Sequence, residues 1–164
     1  MTGVLGAFER KRALRVIHQV ERRFPQLTVA AVLTEVPAQA PLSAYAFWLF
    51  NRGQLTSAVE KGGDNRLVML LIDTGAAQAV TMPGYGLEPF VQETRLQSCL
   101  QAARQALLRG QYGQAIEAFT RELDRQLSEV CQMIPKQFGL VEDRQWLDST
   151  ADDESALEPA ESLY

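Results

Sequence analysis

Asp64, Asn65, Glu88 and Glu93 are the side chains whose types and spacing could do chemistry together. Asp64 and Asn65 stand just before the apolar run Leu67–Ile72, while Glu88 and Glu93 stand just after a second run, Ala77–Met82. Asp73-Thr74-Gly75 between the runs is a turn signal, so the spacing predicts an antiparallel hairpin. In such a hairpin the start of the first strand lies beside the end of the second. Asp64 and Asn65 are therefore expected to approach Gly84 to Glu88, with Glu93 about one helical turn further on. Three carboxylates, an amide and glycine-exposed carbonyls are the hard oxygen ligands that calcium or magnesium takes. The same residues also have an ordinary reading. Asp64-Asn65 can be a turn whose side chain caps the backbone. Glu88 and Glu93 can be helix-start acids, favoured by the positive end of the helix dipole.

Other chemistries find little support. His18 is the single histidine and lies within a basic helical segment, with no nucleophile paired to it. Ser43, Ser57 and Ser98 lack the strand-turn-helix context of a nucleophile elbow. Gly84-Tyr85-Gly86 follows no first strand-helix unit, so it is no dinucleotide fingerprint. Asp73-Thr74-Gly75 matches an aspartic-protease signature over three residues only and reads as the hairpin turn. Cys99 and Cys131 form no close pair and have no histidine nearby, which argues against zinc. Buried free thiols are expected, with a disulfide only if their two helices touch.

The elements that must position the oxygen ligands follow from periodicity. Phe8–Phe24 has apolar residues at Leu14, Ile17, Val20 and Phe24 with cations on other faces, which predicts an amphipathic helix stopped by Pro25. Leu27–Val36 is β-branched and apolar and reads as a buried strand. Leu42–Asn51 reads as a helix whose four rings, Tyr45, Phe47, Trp48 and Phe50, cannot all face one way. Leu67–Ile72 is apolar throughout, as expected of a strand covered on both faces. Pro89 fits the first turn of a helix, and Glu93–Leu108 and Tyr112–Met133 read as helices parted by Gly110. The order is helix, strand, helix, strand, strand, helix, helix. It predicts an α/β fold, a three-layer α-β-α sandwich with a small mixed sheet whose first two strands are joined by a right-handed crossover.

Charge is uneven. The chain carries -4 overall, but eight acids and one base lie between Glu142 and Glu161, leaving fifteen bases and twelve acids elsewhere. An α/β domain over 7–138 is expected, followed by an acidic, largely disordered tail over 139–164. A near-neutral domain offers no concentrated basic footprint for nucleic acid. The apolar runs are far shorter than the roughly 20 residues that span a bilayer, so direct membrane insertion is not expected. Met1 to Ala7 runs into Glu9-Arg10-Lys11-Arg12 without the apolar core of a signal peptide. A cytoplasmic location is expected of the chain as it stands, and an envelope location if it was trimmed from a longer one.

Three motifs in order, Asp64-Asn65-Arg66, Gly84-Tyr85-Gly86-Leu87-Glu88 and Gly110-Gln111-Tyr112-x-x-Ala115-Ile116, resemble those of the TPM domain family. So does Tyr45-Ala46-x-x-Leu49-Phe50, and the similarity spans roughly Ala7 to Met133. The family includes a plant thylakoid-lumen protein of photosystem repair and many bacterial envelope proteins. The resemblance implies the α/β sandwich and, as in some members, a loop cluster that binds divalent cations. Some plant members show acid phosphatase activity. The family usually has glycine where this chain has Arg66, which brings a fixed positive charge to the candidate edge. Val91 and Glu93 likewise replace a usual leucine and aspartate.

Two functions are expected from this. One is an accessory domain that binds calcium or magnesium weakly and acts through an unidentified protein or membrane-complex partner. The other is a metal-assisted acid phosphatase in which Asp64, Glu88 and Glu93 hold the cation. No histidine stands near the edge to move a proton, which favours binding over catalysis. For the tail, removal of residues 145–164 is expected to leave the melting temperature nearly unchanged, because the segment is poor in apolar surface. A scanning-calorimetry comparison checks this, and a clear loss of stability would show that Trp146 or its neighbours dock.

Overall fold

A computed structural model describes residues 4–52, 55 and 66–137 of the chain. Among these, the elements run α1 (Ala7–Arg23), β1 (Thr28–Thr34), α2 (Leu42–Arg52), β2 (Leu67–Asp73), β3 (Gln78–Pro83), α3 (Glu93–Leu108) and α4 (Tyr112–Gln137). A single 3-10 turn, Tyr85–Leu87, lies between β3 and α3. The sheet order is β1-β2-β3, with β1 parallel and β3 antiparallel to the central strand. The mixed sheet expected from the sequence is thus present.

β2 explains the layering. All seven of its residues are buried, and alternate side chains of a strand point to opposite faces. Leu67, Met69 and Leu71 pack with Ala46 and Phe50 of α2. Val68, Leu70 and Ile72 pack with residues of α1, α3 and α4, among them Ile17, Cys99, Ile116 and Phe119. One helix therefore covers one face and three share the other, giving the α-β-α sandwich. The rings of α2 divide as their spacing requires: Phe50 is buried, Tyr45 packs partly against the core, and Phe47 and Trp48 are exposed.

The helices end where local chemistry ends them. Gly110 adopts φ +69° after α3, a left-handed conformation that costs glycine nothing. Its N–H donates to Leu107 O, and the N–H of Gln111 donates to Ala106 O, both at 2.9 Å. This 5→2 and 6→1 pair is a Schellman motif, which satisfies carbonyls that the helix end would leave open. At the start of α4, a Cβ on Gly113 would stand 3.0 Å from Cβ of Glu9, so glycine lets α1 and α4 approach closely. Arg12–Glu117 and Arg23–Asp124 ion pairs, each at 2.9 Å, join the same two helices. Glu117 is buried, and Arg121 of its own helix stands 3.7 Å from the same oxygen, so two cations compensate one buried carboxylate.

Pro89 departs from expectation. It lies in the turn after the 3-10 segment, and α3 starts at Glu93 with Gln92 as its N-cap. The chain needs those extra residues to seat Leu87 and Val91, both buried, before the helix can begin. The chain divides into a compact unit, Met1–Glu129, and a second from Val130, of which the end of α4 is described. The tail expected at 139–164 and Trp146 lie outside the described residues.

Leu70 is 1% exposed at the centre of β2. Leu70→Ala is expected to cost about 2–5 kcal/mol, the range for emptying a well-packed site. Urea denaturation measures it, and a cost below about 1 kcal/mol would be incompatible with a doubly covered strand.

Candidate functional site

The hairpin brings the start of β2 and the residues after β3 to one end of the sheet. Val68 pairs with Pro83, and the N–H of Gly84 donates to Leu67 O at 2.8 Å, extending the ladder by one step. The 3-10 turn that follows is pinned from within. Leu87 N–H donates to Gly84 O, and the N–H groups of Phe90 and Val91 both donate to Leu87 O. Leu87 and Val91 sink into the core, while Tyr85, Glu88 and Phe90 remain exposed. Glu93 is exposed in the first turn of α3, where its Oε1 accepts a 3.4 Å bond from Nε2 of Gln97. A carboxylate there also suits the positive end of the helix dipole. Glu88 and Glu93 thus flank one apolar anchor, and neither makes an ion pair among the described residues. Arg66 is exposed immediately before β2; Asp64 and Asn65 lie outside the described residues. Among the described residues, no three His, Cys, Asp or Glu side chains form a metal-sized group.

The opposite end of the sheet is closed by hydrogen bonds that the sequence did not reveal in full. Oδ1 of Asp73 accepts from the N–H of Gly75 at 3.0 Å and of Val36 at 3.2 Å. The N–H of Thr74 donates to Thr34 O at 2.9 Å, and the hydroxyl of Tyr112 donates to Thr74 O at 3.0 Å. Asp73-Thr74-Gly75 is the turn its composition suggested, with a carboxylate spent on backbone N–H groups and none left for proteolysis. The missed element was Tyr112. Its partner is 38 residues away, so no local signal in the sequence points to the bond.

Comparison with known proteins follows from this frame. A family model described as the TPM domain matches residues 1–126. The chain belongs to the TPM domain family. Among solved structures, the BA42 protein from the psychrophilic bacterium Bizionia argentinensis aligns with TM-score 0.63 at 13% identity, covering 77% of this chain and 83% of that one. The N-terminal domain of the cg2496 protein from Corynebacterium glutamicum aligns with TM-score 0.58 at 14% identity, covering 76% and 74%. At such identities the likeness concerns the fold alone. No functionally curated protein matches the chain.

Away from the sheet ends, this TPM domain holds a polar network on α3 and α4. Arg125 grips Glu122 through Nε at 2.9 Å and Nη2 at 2.5 Å, and also bonds Glu129. Gln126 donates to Glu122 at 2.8 Å and accepts from Arg95 of α3 at 2.8 Å, which ties the helices together. The Arg125 bond holds the Glu122 carboxyl below its ordinary pKa. Its stabilisation is therefore present above the ordinary carboxylate pKa and lost as pH falls through the lowered value. Beneath this network Cys99 is fully buried, and burial, helped by the Glu122 charge, pushes its thiol up to about 12. Cys131 is free and exposed on α4. Brief treatment with iodoacetamide is therefore expected to alkylate Cys131 in native protein and Cys99 only after denaturation, because the thiolate is the nucleophile. Peptide mass spectrometry reads the two sites separately. Equal native rates would contradict the burial of Cys99.

The four serine and histidine candidates end as surface groups where they are described. His18, Ser43 and Ser98 are exposed, and Ser98 donates its hydroxyl to Thr94 O within its own helix at 3.1 Å. Ser57 lies outside the described residues. Among the described residues, no helix is long and apolar enough to cross a membrane.

Proposed function

We propose that this TPM domain is an accessory binding module that takes a divalent cation weakly at the Asp64, Asn65, Glu88 and Glu93 edge and acts through a protein or membrane-complex partner. The hairpin register carries the reading. The bond from Gly84 N–H to Leu67 O fixes the entry to β2 beside the exit from β3, which is the juxtaposition the four oxygen ligands need. The exposure of Glu88 and Glu93 supports it as well, since neither is held in an ion pair among the described residues. Calcium would take six to eight oxygens from side chains, carbonyls and water, relieving carboxylate repulsion as it binds. Arg66 offsets part of that negative charge, so affinity falls in the weak range of about 10⁻⁴–10⁻³ M.

Metal-assisted phosphate hydrolysis is the rival reading. It asks the same edge for a proton-transfer group, and a guanidinium such as that of Arg66 does not serve as one. The histidine of this chain is on α1, outside the edge.

Calcium titration followed by backbone NMR tests the proposal. Residues 63–66 and 84–93 are expected to shift together. Arg66→Gly is expected to tighten binding, and Asp64→Asn to abolish it. If these segments do not shift together, or if Arg66→Gly leaves the titration unchanged, the edge is a turn and no cation site. Phosphatase activity that survives in Asp64→Ala protein would remove the metal-assisted mechanism.

A further inference from the structure

The outward face of α1 combines unpaired cations with exposed apolar side chains among the described residues. The helix buries Ala13, Val16, Ile17 and Val20 against the core, at the i, i+3, i+4, i+7 spacing of one face. Of its cations, Arg12 and Arg23 are held by Glu117 and Asp124 of α4. Arg10, Lys11, Arg15 and Arg22 form no salt bridge among the described residues and are exposed. Phe8, Lys11, Arg15, His18 and Arg22 alternate by three and four residues, which places them on one stripe opposite the buried side. Phe8 is 71% exposed and Leu14, beside the stripe, is 42% exposed. The two acids of the helix are occupied locally, Glu9 by the N–H of Gly6 and Glu21 by the N–H of Val29.

We propose that this face of α1 adsorbs to an anionic lipid surface, Lys11, Arg15 and Arg22 of the stripe meeting the headgroups and Phe8 and Leu14 seating among them. The helix is 17 residues long, about 25 Å, so its cations can meet several headgroups at once. A basic amphipathic face with apolar residues interspersed is what an anionic bilayer interface attracts. Nucleic acid would use the cations but leave the exposed ring and leucine without a partner. The whole chain carries -4, so net charge alone would repel it from such a surface. Any selective adsorption must come from a local basic face, and α1 presents one. The inference stands apart from the cation edge, which uses other elements.

The test is co-sedimentation of the full chain with phosphatidylcholine vesicles, with and without phosphatidylserine, in EDTA so that calcium plays no part. Partition onto the serine-containing vesicles alone is expected, falling as salt screens the attraction. Each Lys or Arg near such a surface contributes a factor of about five. Arg15→Gln and Arg22→Gln should each lower partition by about that factor, and Lys11→Gln/Arg15→Gln by about twenty-five-fold. These side chains are exposed, so an unchanged thermal melt confirms that the variants fold. Phe8→Ser/Leu14→Ser should weaken partition at constant charge. Equal partition onto neutral vesicles, or none onto anionic ones at low salt, overturns the proposal. Unchanged partition in the Phe8/Leu14 variant would show a purely electrostatic contact and overturn the assignment to lipid. Because calcium is absent throughout, failure here leaves the NMR titration of the edge to stand or fall alone.

Discussion

The constraint on which the fold depends is the burial of β2 on both faces. A strand with no polar face cannot be left half in water, so helices must cover each side. The parallel pairing of β1 with β2 supplies the first cover, since a crossover of that length carries α2 onto one face. The hairpin to β3 turns the chain back and leaves α3 and α4 to join α1 on the other. With one helix on one side and three on the other, the second core is smaller, and α2 alone leaves Phe47 and Trp48 in water.

The two ends of the hairpin have opposite characters. At the Thr74 end, Asp73, Thr34, Val36 and Tyr112 bind the turn to the exit of β1 and the start of α4. Its donors and acceptors are consumed by structure. At the Gly84 end the chain is held by buried Leu87 and Val91, and among the described residues the acids beside them carry no ion pair. Polar groups with no structural duty are those available to a ligand, which is why the Gly84 end and not the Asp73 end carries the proposed site.

Much of this was legible in the sequence because the signals were periodic. α3 begins and ends at the expected residues, and β1, β2 and β3 differ from their expected limits by only a few positions. Motif spacing led to the TPM family, and the family model bears that out. The illegible parts were set by tertiary contact. Pro89 looked like a helix start because nothing local shows that Leu87 and Val91 must be seated first. Cys131 looked as buried as Cys99, although one faces the core and the other does not. The hydroxyl bond of Tyr112 to Thr74 joins residues 38 apart, a distance that no local pattern can span.

What was legible at the Gly84 end is the approach of the start of β2 to the exit from β3; Asp64 and Asn65 lie outside the described residues. Register follows from hairpin geometry, so the approach of the two segments could be read from the Asp73-Thr74-Gly75 turn alone. Affinity cannot be read that way, because it depends on how many oxygens converge within a cation's radius. Arg66 sharpens the point. A glycine before β2 would leave the neighbouring carboxylates with no counter-charge, and a dication would then relieve their full repulsion. In the proposed site an arginine would relieve part of it. If the proposed edge holds a cation, arginine in place of glycine weakens the reason to hold it, and the comparison of Arg66 with glycine is a direct measure of the site's electrostatics.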